Sequence, residues 1–177
     1  MIIKAKYRLS GSHIRQILSL KAVIESFDAG TNDPSAPGGE RHAEGVRKTA
    51  VRWIRQQGNE EIYNELYRIV REHQAKLGVT VRLCFASDMQ LATYREGDHY
   101  TWHRDVAKLD RLQRLISLSV LLTSDFAGGQ LEFTSPGAPK LRKLGDIVMF
   151  NSDETHRVAA VTRGVRNSLV AWFMKAG

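Results

Sequence analysis

The hydrophobic periodicity changes character at Gly78, and no other feature of the 177 residues narrows the possible folds as much. Before it, apolar residues recur at helical spacing. Ile14, Ile17, Leu18, Ile24 and Phe27 share one face of a predicted helix, with Ser12 as its N-cap and Gly30 at its end. Ile62, Leu66, Ile69, Val70, His73 and Leu77 share a face of a second helix capped by Asn59. Glu60 and Glu61 lie in its first turn, where the helix dipole favours anions, and Gly78 stops it. His73 on that face reads as a core or boundary histidine rather than a ligand. Beyond Gly78 the pattern is short runs of Val, Ile, Leu, Phe and Thr bounded by turn formers. Strands are predicted over 79–85, 89–94, 115–123, 130–133, 147–150, 156–161 and 166–173. Helices followed by closely spaced strands predict a mainly β chain with N-terminal helices (α+β), a sandwich or barrel braced on one face. No linker separates the two parts. The expectation is therefore one domain over 1–177, with helical support and loop over 1–78 and the strand core over 79–177.

Residues 28–46 are dense in turn formers, among them Gly30, Pro34, Pro37, Gly38, Gly39 and Gly45. A loop of this length in a compact domain predicts a lid over the barrel mouth that contacts substrate, with an idle surface excursion as the alternative. Hydrophobic residues at 42% and charged residues at 25% rule out wholesale disorder. No apolar run approaches ~18 residues, so no transmembrane helix is expected, and the first residues lack an apolar stretch of signal-peptide length. The lone Cys84 excludes an internal disulfide framework and a cysteine-rich zinc cluster, which makes a cytoplasmic setting the expectation. The net charge of +7 is shared by both halves of the chain without a basic cluster. It reads as a background field rather than a nucleic-acid stripe.

Two of the six histidines sit beside chemistry that works together. In Trp102-His103-Arg104-Asp105 an imidazole and a carboxylate are two residues apart, and in extended chain such positions share a face. His156 opens a strand pattern after the turn Asn151-Ser152-Asp153-Glu154. Two histidines and one carboxylate with other positions open form the facial triad of non-haem Fe(II) oxygenases, whereas a closed zinc site wants a fourth protein ligand. The same residues are compatible with a surface salt bridge at Asp105 and an ordinary hydrogen-bonded His156. Arg166 adds weight to the metal. The segment 156–173 reads as strand, turn at Thr162-Arg163-Gly164, strand, a hairpin that would set Arg166 beside the strand bearing His156. Buried in an apolar barrel, the guanidinium needs a carboxylate. A dicarboxylate that also chelates iron supplies one bidentately, and 2-oxoglutarate is such a molecule.

From about Arg47 to Phe173 the chain resembles the prolyl-4-hydroxylase-like branch of the Fe(II)/2-oxoglutarate-dependent dioxygenases. MQLATYREGDHYTWHRD is similar to that family's strand with its glutamine, tyrosine and His-x-Asp motif. LISLSVLLTSDFAGGQLEF resembles the following strand pair with its Gly-Gly turn. GDIVMFNSDETHRVAAVTRGVRNSLVAWF resembles the closing strands with the distal histidine and the basic residue. The resemblance implies a double-stranded β-helix (jelly-roll) core. It implies Fe(II) held by His103, Asp105 and His156, and Arg166 on the distal carboxylate of 2-oxoglutarate. Tyr94 and Trp172 match pocket residues, and Ser168, one strand repeat after Arg166, adds a hydroxyl there. Core packing is the alternative for these three. Two positions depart from the proline-hydroxylating pattern: Arg166 where lysine is common, and Gln130 where glutamate is frequent.

Tyr100 and Trp102 flank the metal motif as a candidate substrate wall, with core packing the alternative for Trp102. Arg111 and Arg114 either bind a substrate carboxylate or carbonyl, or are solvated strand-end charges. The function expected is hydroxylation of an unactivated C–H bond by O2 with 2-oxoglutarate, releasing succinate and CO2, and ascorbate as a candidate reductant. The carboxylate at Asp105 argues against a halogenase. The first substrate class is an amino-acid side chain, proline foremost, in a peptide, a protein or free. Oxidation of a nucleic acid base and a non-catalytic metal-binding module are the alternatives.

Overall fold

A computed structural model of the chain describes residues 1–20, 31–32, 40–41, 45–106 and 113–177. In chain order these form β1 (Ile2–Lys4), α1 (Gly11–Ser19), β2 (Thr31–Asn32), β3 (Glu40–Arg41), β4 (Arg47–Lys48), β5 (Ala50–Ile54) and α2 (Glu60–His73). There follow β6 (Leu83–Phe85), β7 (Met89–Tyr94), β8 (His99–His103), β9 (Arg114–Leu121), β10 (Phe126–Gly128) and β11 (Leu131–Phe133). The chain closes with β12 (Ile147–Asn151), β13 (His156–Val158), β14 (Val161–Gly164) and β15 (Arg166–Lys175). A seven-stranded antiparallel sheet runs β1-β12-β9-β15-β7-β5, with β6 paired to the far end of β15. A four-stranded sheet runs β11-β13-β8-β4. None of the helices among the described residues is long and apolar enough to cross a membrane.

Alternation along the strands decides which residues face the site. On β15, Leu169, Ala171 and Phe173 join a core that also holds Ile62, Leu66, Ile69 and Val70 of α2. Arg166, Ser168 and Trp172 have the opposite parity and face the four-stranded sheet. On β7 the same division puts Met89 and Leu91 on the helix side, and Gln90, Ala92 and Tyr94 inside. Between the sheets, Ala92 and Tyr94 pack with Val158 and Val161, and Phe150 of β12 meets both Phe133 and His156 edge-on. Each aliphatic side chain fully buried on the helix side contributes roughly 1.5–3 kcal/mol over its exposed state. The Tyr63 hydroxyl fastens α2 to the sheet, donating to the Ile54 carbonyl at 2.7 Å and accepting from the Met89 amide at 3.0 Å.

Several expectations need correction. Ser10, not Ser12, caps α1: its hydroxyl accepts from the His13 amide at 3.2 Å, while Ser12 bonds sideways to Ser10. α1 ends at Ser19 and leaves Leu18 exposed; Ile24 and Phe27 lie outside the described residues. Asn59 starts α2 without a side-chain cap, because its amide donates to the Arg55 carbonyl instead. The first 78 residues are not only helical. β1 and β5 lie at opposite ends of the large sheet, stabilised by partners far along the chain that no local periodicity reveals. The hairpin over 156–173 does not form. β13 pairs with β8 and β11, β14 with β10, and β15 with β7 and β9, so His156 and Arg166 belong to opposite sheets. Of residues 28–46 the structure describes only the β2–β3 pair and the end at Gly45 and Val46; the expected lid otherwise lies outside the described residues.

Candidate metal and cosubstrate site

Adjacent antiparallel strands of the small sheet bring the two histidines together. His103 ends β8 directly opposite His156, which begins β13, and their ring centroids are 4.2 Å apart. Asp105 lies two residues past His103, where its amide donates to the Ser152 carbonyl at 2.9 Å and pins the strand exit. Its carboxylate oxygens stand 3.6 Å from His103 Nε2 and 3.7 Å from His156 Nε2. The three ligand atoms all lie within 4.8 Å of one another.

The proton arrangement makes this a donor set. His103 Nδ1 lies 2.8 Å from the Thr101 carbonyl, and His156 Nδ1 lies 2.9 Å from the Glu154 carbonyl. A carbonyl can only accept, so each ring carries its proton on Nδ1 and turns a bare Nε2 lone pair toward Asp105. Burial, reinforced by the neighbouring His156, pushes His103 down to about 4 and keeps it neutral near pH 7. Burial pushes the Asp105 carboxyl up, but His156 and His103, helped by Ser117 and Trp172, bring it below its ordinary value. Lone pairs and a carboxylate converge with no proton between them. A divalent cation turns that repulsion into attraction, and the two carbonyls are the outer partners such histidines need.

A bulge shapes the wall beside the triad. Three residues of β13, from His156 to Val158, span the four from His103 back to Tyr100 on β8. The extra residue turns Tyr100 to the side of His103, and the rings stack at 3.5 Å and 14°. Arg47 of β4 covers the other side of Tyr100 with its guanidinium 4.6 Å from the ring, and donates to Gln90 Oε1 at 2.8 Å. Trp102 points the other way. It is 44% exposed and stacks under Arg157 on the outer face of the small sheet, away from the triad. Of the two residues expected to flank the metal motif on its substrate side, Tyr100 lies against the triad and Trp102 does not.

Arg166 faces the triad from the large sheet, opposite Tyr94 of β7. It is 2% exposed, donates to Ser168 Oγ at 2.9 Å and lies 5.3 Å from the Tyr94 ring centroid. Among the described residues no carboxylate comes within salt-bridge distance of it, and burial pushes its pKa down. A guanidinium so placed is costly until an anion arrives. Gly129 leaves room for its stem: a Cβ there would stand 3.0 Å from Arg166 Cδ and 2.9 Å from Val161. Trp172 shares the Arg166 face of β15, with the Arg114 guanidinium 4.2 Å from its ring. Arg114 also donates to the Asp105 carbonyl at 3.4 Å, whereas Arg111 lies outside the described residues.

Sequence reasoning missed Arg47, Trp53 and Ser117. Trp53, 38% exposed, tilts against Trp172 at 6.3 Å. Ser117 was readable in principle, since it alternates with the apolar Ile116 and Leu118 on β9. Arg47 and Trp53 carried no such signal, because the strands that place them pair with segments some forty to fifty residues away.

The model of the 2OG-Fe(II) oxygenase superfamily matches residues 89–174. A PKHD-type hydroxylase of Synechococcus sp. (strain JA-2-3B'a(2-13)) is 30% identical over 172 residues, covering 93% of this chain and 74% of that protein. The PKHD-type hydroxylase IL0759 of Idiomarina loihiensis is 34% identical over 83 residues, 45% of this chain. That match spans only 38% of the Idiomarina protein's length. Among solved structures, the viral collagen prolyl hydroxylase of Paramecium Bursaria Chlorella virus-1 superposes with a TM-score of 0.71 at 20% identity, over 99% of this chain and 96% of the other. That likeness shows the fold, a double-stranded β-helix.

Proposed function

Since this chain belongs to the 2OG-Fe(II) oxygenase superfamily, we propose that residues 1–177 act as one Fe(II)- and 2-oxoglutarate-dependent dioxygenase domain. It hydroxylates an amino-acid side chain, with proline in a peptide or protein, or free, the first substrate class. The observation that carries this reading is the buried Arg166 guanidinium, without a carboxylate partner among the described residues, facing a convergent His103-Asp105-His156 donor set from the opposite sheet. One group asks for an anion and the other for a cation. A chelating dicarboxylate satisfies both.

In this assignment His103, Asp105 and His156 hold Fe(II), while Arg166 and Ser168 hold the distal carboxylate, with Tyr94 and Trp172 as pocket walls. When bound, Fe(II) and 2-oxoglutarate supply O2 activation, with succinate and CO2 as co-products. The protein's own work is positioning. The Thr101 and Glu154 carbonyls fix both imidazoles, and Asp105 neutralises part of the metal charge. The Arg47–Tyr100 stack holds the His103 ring from one side and walls the substrate space. Apolar packing of Tyr94, Val158 and Val161 walls one side of the dicarboxylate space and strengthens a charge-assisted bond there. Ascorbate as reductant and a cytoplasmic setting belong to the same proposal, the latter supported by the lone Cys84.

The test is succinate release from 2-oxoglutarate by the Fe(II)-loaded protein, screened with proline, proline-containing peptides and other free amino acids. The proposal expects decarboxylation stimulated by at least one prolyl substrate and a hydroxylated product of matching yield. Stimulation by none of these, alongside turnover with an alkylated nucleic acid, would overturn the substrate class.

A further inference from the structure

A cavity of about 210 Å³ opens beside the barrel on the side of the β10–β11 turn. Exposed Ser124, Gln130 and Arg142 form its rim, and it descends past Leu121 and Gly129 to Arg166. Its volume is many times the ~10–15 Å³ that one water needs, so it has room for more than a single water. Two features set it apart from the metal site. None of His103, Asp105, His156, Tyr94 or Trp172 lines it, so it reaches Arg166 without passing the triad. Among the described residues its charged lining is two arginines and no carboxylate, the exposed Arg142 and the buried Arg166.

The inner end is held open by backbone choice. Gly128 and Gly129 both have positive φ, 70° and 64°, a conformation that side-chain-bearing residues adopt only under strain. A Cβ on Gly129 would press on Arg166 and Val161, and one on Gly128 would fall 2.3 Å from the Ala160 carbonyl. The turn therefore lies close against the Arg166 stem.

From this geometry we infer that the cavity is an entry port for the cosubstrate: small dicarboxylates are gathered at Arg142 and pass inward to Arg166, independently of the mouth beside the metal. The inference rests on the 2-oxoglutarate assignment above. A port of this kind lets the dicarboxylate exchange while a peptide covers the metal side. A cation at the rim raises the local concentration of anions and so acts on the association rate, with little effect on the bound state.

Stopped-flow mixing tests it. The Fe(II)-loaded chain is mixed with 2-oxoglutarate without O2, and metal-to-ligand absorbance is followed to obtain association and dissociation rates. Gln130→Trp and Ser124→Trp place bulk at the exposed rim, and Arg142→Glu reverses the rim charge. The rim tryptophans are expected to slow association and dissociation together by roughly tenfold, leaving Kd within about twofold. Arg142→Glu is expected to slow association alone by about 3- to 10-fold at low salt, an effect that fades as ionic strength rises. Arg142 is exposed, so that variant remains informative if a tryptophan disturbs folding. Rates equal to the parent's in the rim-tryptophan and Arg142→Glu proteins would overturn the port and send the dicarboxylate in beside the metal. A parent protein that shows no 2-oxoglutarate binding would instead overturn the cosubstrate assignment itself.

Discussion

Arg166→Met separates two roles that a buried cation can have, because it moves stability and ligand binding in opposite directions. The guanidinium is 2% exposed, has one hydrogen bond to a neutral hydroxyl, and among the described residues has no carboxylate in reach. Burying an ion costs several kcal/mol, and replacing such groups by apolar ones of similar volume is neutral or stabilising by up to about 1–4 kcal/mol. The unliganded Met variant is therefore expected to melt at or above the parent's temperature. Toward 2-oxoglutarate it loses a charge-assisted fork of about 1.5–3 kcal/mol or more. At 1.4 kcal/mol per decade that is roughly 10- to 150-fold in affinity. With Mn(II) and 2-oxoglutarate at about 100 times the parent's Kd, the ligand stabilises the parent by about 2.7 kcal/mol, and a variant weakened about 100-fold by only about 0.4 kcal/mol. For a chain of this size these figures correspond to thermal shifts of about 5–11 °C against about 1–2 °C. Paired melts with and without 2-oxoglutarate measure both effects. Equal ligand-induced shifts would refute Arg166 as the anchor. An unliganded variant destabilised by more than about 2 kcal/mol would mean that its charge is already compensated within the fold.

Three further outcomes follow from the same geometry. Asp105→Ala removes the only anionic ligand of the triad, so Mn(II) binding measured by calorimetry should weaken by at least about 100-fold and coupled hydroxylation should cease; metal affinity equal to the parent's would place the ion elsewhere. Burial raises the Asp146 carboxyl, but its ion pair with Lys4 at 2.6 Å and the amides of Arg142 and Lys143 bring it below its ordinary value. A lowered folded-state pKa means stability present above the unfolded value of about 3.9 and lost as pH falls through the folded one. Asp146→Asn should thus lower urea stability by about 1.5–3 kcal/mol at pH 7, with the gap narrowing toward pH 2; a gap independent of pH would exclude the ionic contribution. Trp102→Ala loses only an exterior stack with Arg157, worth about 0.5–1 kcal/mol, and should keep coupled turnover within about twofold of the parent. A large loss of substrate affinity in that variant would return Trp102 to the substrate wall.

The candidate site residues were legible because their relation is short-range. His103 and Asp105 are two positions apart, and Arg166, Ser168 and Trp172 share one face of a single strand, so alternation alone puts each set on a common side. The helical face of 62–77 likewise followed from periodicity, since a helix satisfies its own backbone within four residues. Partner choice was decided elsewhere. A strand leaves its hydrogen bonds to another segment, and local pattern specifies extension but not the neighbour. The segment 156–173 therefore reads as a hairpin although its strands pair into separate sheets, putting His156 and Arg166 on facing walls rather than side by side. Arg47 reaches Tyr100 only because β4 pairs with β8, and Trp102 turns outward while Tyr100 turns in because the bulge in β8 exists only in register with β13. Local chemistry determined which groups could bind a metal and a dicarboxylate; the pairing of distant strands, driven by burial of the two sheet faces, decided that they meet across one interior.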